Sequence, residues 1–87
     1  MKVLGIDNIR RKDIPIYYRQ LYTGVAVLEL TKGTVNYPID FSIEVKATGQ
    51  TVINITFLDD MDYPLVPVVQ DLRKIIDSMR VNEELPD

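Results

Sequence analysis

The chain contains neither cysteine nor histidine among its 87 residues. Without cysteine it can form no disulfide and offers no thiol nucleophile, a composition that fits a reducing compartment. Without histidine it lacks the commonest general base of enzymes. Its glycines, at positions 5, 24, 33 and 49, are isolated and form no phosphate-binding loop. These absences predict a protein that is not an enzyme and uses no cofactor.

Long hydrophobic runs are also missing. The longest, from Tyr63 to Val69, has seven residues and includes two prolines, whereas a membrane-spanning helix needs about 20. The N terminus lacks the pattern of a signal peptide, because Asp7 directly follows Ile6. We therefore expect a cytoplasmic protein without membrane contact, and a length of 87 residues predicts a single small domain.

The clearest positive signal is a strict alternation of apolar and polar residues from Val35 to Lys46. Successive side chains of a strand point to opposite faces, so this segment is predicted to be a long strand with one buried face. Shorter strands are predicted from Val25 to Leu30 and from Thr51 to Leu58. A first strand is possible from Lys2 to Ile6.

A C-terminal helix is predicted over residues 64–81. Its apolar residues recur at steps of three and four and form one stripe: Val68, Val69, Leu72, Ile75, Ile76 and Met79. The predicted fold is therefore α+β, with a three-stranded antiparallel β-meander at 24–58, a possible fourth N-terminal edge strand, and this helix across one face. Residues 1–23 form an N-terminal arm in this interpretation, and the tail at 82–87 frays.

Parity of the residue numbers constrains how the strands pair. Placing Leu30 opposite Val35, and Val45 opposite Ile53, puts the apolar sets of all three strands on one face. The second hairpin then needs an odd loop, in which Gly49 takes positive φ. Pro38 cannot donate a ladder hydrogen bond, so we expect an irregularity at Tyr37 and Pro38.

The opposite face of this sheet mixes polar and apolar side chains. Its apolar members are candidates for an interface: Val25, Val27, Val52 and Leu58. The pairing above places Val25 and Leu58 on either side of Asp40. Three interpretations remain open for this face: simple exposure, coverage by the N-terminal arm (Ile6, Ile9, Ile14, Ile16 and Leu21), or coverage by a partner, most simply a second copy.

Basic and aromatic residues alternate near the N terminus. They are candidates for binding an anion, a nucleotide or single-stranded nucleic acid: Arg10, Arg11, Lys12, Tyr17, Tyr18, Arg19 and Tyr22. Residues 1–23 have a net charge of +3, whereas residues 51–87 have −5. An isoelectric point near 4.8 disfavours nucleic acid as the partner.

Three carboxylates, Asp59, Asp60 and Asp62, stand between the last strand and the helix. A calcium loop of the EF-hand type counted from Asp60 would require glycine where Leu65 stands and glutamate where Asp71 stands. The match fails, so we predict no metal site and attribute these residues to the helix N terminus. Taken together, the residues predict a non-enzymatic interaction or regulatory domain, most simply a homodimer, with anion or nucleic-acid binding as the alternative.

Overall fold

The computed structural model describes residues 2–14, 18–60 and 65–86. Strands β1 (Lys2–Arg11), β2 (Arg19–Leu30), β3 (Gly33–Val45) and β4 (Thr51–Phe57) precede one helix, α1 (Leu65–Val81). The strands form a single antiparallel sheet in the order β1-β2-β3-β4. The predicted α+β meander with a fourth N-terminal edge strand is therefore confirmed.

The N-terminal region differs from the predicted arm. Strand β2 begins at Arg19 rather than near Val25, and β1 continues to Arg11, so most of residues 1–23 belong to a paired ladder. The ladder has register shifts between Val3 and Gly5 and between Asp7 and Arg10. Such bulges let a strand of irregular polarity keep most of its backbone hydrogen bonds. Pro15, Ile16 and Tyr17 lie outside the described residues.

The predicted faces of β2, β3 and β4 are correct, but both registers differ by two residues. Leu28 lies opposite Val35, and Ile43 lies opposite Ile53. The first hairpin closes with the two-residue turn Thr31–Lys32, and the second with a three-residue turn that ends at Gly49, whose φ is 88° as predicted for that glycine. A shift by two residues preserves the face of every side chain and changes only its neighbours.

Pro38 causes no bulge between β2 and β3, contrary to expectation, because the pairing of Val25 with Pro38 lies in an unbroken register. The Pro38 carbonyl accepts a hydrogen bond from the Leu58 amide at 3.1 Å, so the main-chain groups of Pro38 point toward β4. The missing N–H therefore falls on the β4 side, where the ladder starts at Ile39. On the β2 side Pro38 occupies a position that needs no donor.

The core lies between the sheet and α1. Its fully buried helix residues are Val68, Leu72 and Ile76, one turn apart, as the apolar stripe predicts. The sheet supplies the other buried side chains: Tyr22, Ala26, Leu28, Ile39, Phe41 and Ile43. Residues Ile6 and Ile9 of β1 pack against the same core. They therefore face α1, and the interpretation in which they cover the opposite face is wrong.

The end of α1 is capped rather than frayed. The Glu84 amide donates to the Met79 carbonyl at 2.8 Å and the Glu83 amide to the Arg80 carbonyl at 3.2 Å, which is the hydrogen-bond pattern of a Schellman motif. Glu83 occupies the left-handed position, with φ of 57°, where glycine is usual. Leu85 then packs against the core, so the described part of the tail is held to the domain.

Candidate interaction surface

One face of the sheet, called the outer face below, points away from α1. It is formed by odd-numbered residues of β2 and even-numbered residues of β3 and β4, because the opposite parity fills the core. Among the described residues α1 is the only helix, and it lies on the other side. Within this part of the chain, the outer face has no second layer of structure.

An apolar row crosses the outer face. Val25 lies opposite Pro38 in the ladder, and the Leu58 amide binds the Pro38 carbonyl, so Val25 and Leu58 flank Pro38. The prediction that they flank Asp40 is wrong, because both registers differ by two residues. Val27 lies next to this row on β2, and the side chain of Leu58 remains 53% exposed. The actual pairing thus makes the patch more apolar than the sequence suggested.

Val52, the fourth interface candidate, does not join this row. It lies opposite Glu44, whereas Leu58 follows the far end of β4. Six residues of extended chain separate the two positions, which corresponds to about 20 Å. The structure therefore brings Val25, Val27 and Leu58 together at one end of the outer face and leaves Val52 at the other.

Two ion pairs balance the carboxylates of the outer face. Lys12 Nζ lies 2.6 Å from Asp40 Oδ2, and an Arg19 guanidinium nitrogen lies 3.7 Å from Glu44 Oε1. Because each carboxylate has a cation beside it, the middle of this face carries little net charge. A second layer can therefore approach the face without strong like-charge repulsion.

The predicted basic and aromatic site is dispersed over the domain. Arg10 pairs with Thr23 and Arg11 with Tyr22, so the two neighbouring arginines occupy positions of opposite faces. The Tyr22 side chain is 2% exposed and stacks on Phe41 with ring centroids 5.0 Å apart. It therefore belongs to the core.

The remaining members of that set have separate surroundings. Lys12 and Arg19 are engaged with the carboxylates of the outer face, and the buried Arg19 Nε has no hydrogen-bond partner in the structure. Tyr18 is exposed, and its carbonyl accepts the Val45 amide at 3.4 Å. Tyr17 lies outside the described residues. The six described candidates do not converge on one surface.

A cleft near the end of α1 brings Arg11 close to Arg80, a neighbour that sequence spacing could not indicate. The cleft has a volume of about 550 Å³ and is also lined by Gln20, Tyr22, Glu83, Leu85 and Pro86. Arg80 is already bound to Asp77, with an N–O distance of 2.9 Å. With Glu83 also present, the cleft has little net positive charge to attract an anion.

Asp59 and Asp60 are exposed between β4 and α1, and Asp62 lies outside the described residues. In the described ranges no cluster of three or more His, Cys, Asp or Glu side chains could hold a metal ion. No helix in the same ranges has both the length and the apolar character needed to cross a bilayer.

A family model matches residues 1–81, which include every strand and the whole of α1. The chain belongs to that family. The family's description is a bare gene label and states no activity. No curated protein and no solved structure matches the chain. For this family member, an argument about function therefore depends on its own surfaces.

Proposed function

We propose that this chain is a non-enzymatic interaction domain that works as a homodimer, and that two copies meet through their outer faces. The observation that carries the proposal is the apolar row of Val25, Pro38 and Leu58 on a face that has no second layer among the described residues. Apolar groups grouped on one surface favour association, because burial removes them from water.

The geometry of the sheet suits this contact. Two sheets pack face to face at a separation of about 10 Å when their inner side chains interdigitate. The Val25 and Leu58 side chains could fill such a layer, while the ion pair of Lys12 with Asp40 would lie beside it. The dimer would then have two sheets at its centre and the two helices outside.

The composition supports a function without catalysis. The chain has no histidine or cysteine, which are the most frequent acid–base and nucleophilic groups of enzymes. On the outer face the carboxylate of Asp40 is bound to a lysine rather than left available as a base. These features favour binding over chemistry.

The test is the mass of the chain in solution after Leu58→Lys. A lysine at this 53% exposed position is harmless to the fold but places a charge inside the proposed layer. Val45→Lys is the matched control, since Val45 is 54% exposed and belongs to the opposite face. Sedimentation at micromolar concentration is expected to show a lower mass for Leu58→Lys and an unchanged mass for Val45→Lys. Equal masses for Leu58→Lys and the wild type would refute the proposal.

A further inference from the structure

The two edges of the sheet differ in how they are protected. Strand β1 has two register shifts, a left-handed residue at Asn8 with φ of 54°, and several charged side chains. Bulges and charges are the usual means by which an edge strand avoids pairing with another chain. Strand β4, at the other edge, has neither.

All seven residues of β4, Thr51–Phe57, stay in unbroken register with β3. None of them is ionisable or a proline, and most are β-branched or aromatic. The Leu58 amide points to β3, so the odd-numbered residues of β4 direct their N–H and C=O groups outward. Of the described strands, β4 pairs with β3 alone. Its outer edge is a regular template for a further strand.

One hydrogen bond shows that an outward carbonyl of β4 accepts a donor. Arg73 Nε of α1 donates to the Ile53 oxygen at 3.0 Å. Beside this contact a groove of about 490 Å³ runs between α1 and the beginning of β4, and Arg73, Lys74 and Asp77 line its helix side. An added strand would lie against this groove.

We propose that β4 pairs in antiparallel fashion with β4 of a second copy, about a two-fold axis at Asn54. In this register Thr51 faces Phe57 of the second copy, and Ile53 faces its Ile55. Every residue of the strand then has a partner, apolar side chains meet apolar ones on the helix side, and no charges oppose each other. The amide of Ile55 replaces Arg73 at the Ile53 carbonyl.

The charges that flank β4 select a second copy as the occupant. Asp59 and Asp60 follow directly after the strand and are exposed. In the two-fold register they extend past Thr51 of the second copy, next to the groove where Arg73 and Lys74 are exposed. The released Arg73 guanidinium can then bind these carboxylates. Symmetry repeats the same contact at the other end, so one chain supplies both halves of the match.

This edge contact is independent of the outer-face contact of the proposed function. The two-fold axis of the edge pair is perpendicular to the sheet, whereas the axis that relates two stacked outer faces lies parallel to it. Both contacts together give a closed assembly of four copies, in which two eight-stranded sheets lie back to back. Either contact alone gives a dimer.

A charge exchange tests the edge contact without touching the outer face. One variant carries Asp59→Lys and Asp60→Lys, and the other carries Arg73→Glu and Lys74→Glu. Each variant alone places like charges at both ends of the pair, whereas a mixture of the two places opposite charges there. Glu83→Lys with Glu84→Lys is the matched control, because it exchanges two exposed acids away from β4.

The expected wild-type mass is four times the chain mass of 10.0 kDa. Each charge variant is expected to halve that mass, an equimolar mixture to restore it, and the control to leave it unchanged. Failure of either charge variant to lower the mass, or of the mixture to restore it, overturns the edge contact. If Leu58→Lys lowers the mass and the charge variants do not, the outer-face contact stands alone. The reverse result leaves the edge contact and removes the outer-face proposal.

Discussion

Gly24 shows how closely β1 packs over the sheet, and Gly24→Ala is the sharpest test of that packing. Gly24 lies buried in β2 on the face that meets α1, opposite Ile39. A Cβ atom there would stand 2.9 Å from Ile6 Cγ2, and 3.4 Å from both Ile9 Cγ1 and the Asp7 carbonyl oxygen. The first distance is shorter than van der Waals contact allows, so the side chain of Ile6 must move.

The expected loss of stability follows from two opposing effects. Overpacking a well-filled site by one methyl group costs about 1–3 kcal/mol. Alanine also restricts the unfolded chain, which favours the variant by about 0.5–1 kcal/mol. We therefore expect Gly24→Ala to lower the free energy of unfolding by about 1–2 kcal/mol, the difference between these two effects.

Urea unfolding at one fixed protein concentration measures this change, because association would make the midpoint concentration-dependent. Ile6→Leu provides the rescue, since leucine has no branch at Cβ and so removes the Cγ2 atom that clashes. The double variant should be more stable than the sum of the single changes indicates. An unchanged midpoint for Gly24→Ala, or strict additivity with Ile6→Leu, would show that β1 does not pack over Gly24 as described.

Two further changes test the helix end and the outer face. Glu83→Gly should raise the free energy of unfolding by about 1 kcal/mol, because glycine adopts the left-handed conformation without the steric cost that a side chain adds; a melting temperature that stays constant or falls would contradict the capping motif. A double-mutant cycle of Lys12→Met and Asp40→Asn should give a coupling of about 0.2–1 kcal/mol, since both side chains are about one-third exposed. The coupling should shrink as salt is added, and one that is independent of salt would argue against an ion pair.

The faces of the sheet could be predicted from the sequence, because alternation fixes them whatever the register. The apolar set of Val35 to Val45 can point only one way, and α1 carries the matching stripe. Register is a weaker signal. It depends on turn length, and both a two-residue and a four-residue turn satisfy the parity of Leu30 and Val35. The structure has the shorter turn, at Thr31–Lys32.

The candidate site was less predictable than the fold. Proximity along the chain suggested that Arg10, Arg11 and Tyr22 act together, but pairing of β1 with β2 turns the arginines to opposite faces and buries the ring. The signal that could have shown this is the apolar spacing of Val3, Ile6 and Ile9, which a bulged strand satisfies and a regular one does not. A bulge adds one residue and inverts the parity that follows it.

The two-residue difference in register determines which chemistry the outer face presents. With Leu58 beside Asp40, a carboxylate would interrupt the apolar row, and a second sheet packed there would have to bury a charge. With Leu58 beside Pro38, the row is continuous from β2 to the end of β4, and Asp40 lies one pair away, bound to Lys12. Pro38 accounts for this arrangement in two ways. Its missing N–H is tolerated only where the β4 ladder ends, and its ring supplies the apolar surface between Val25 and Leu58.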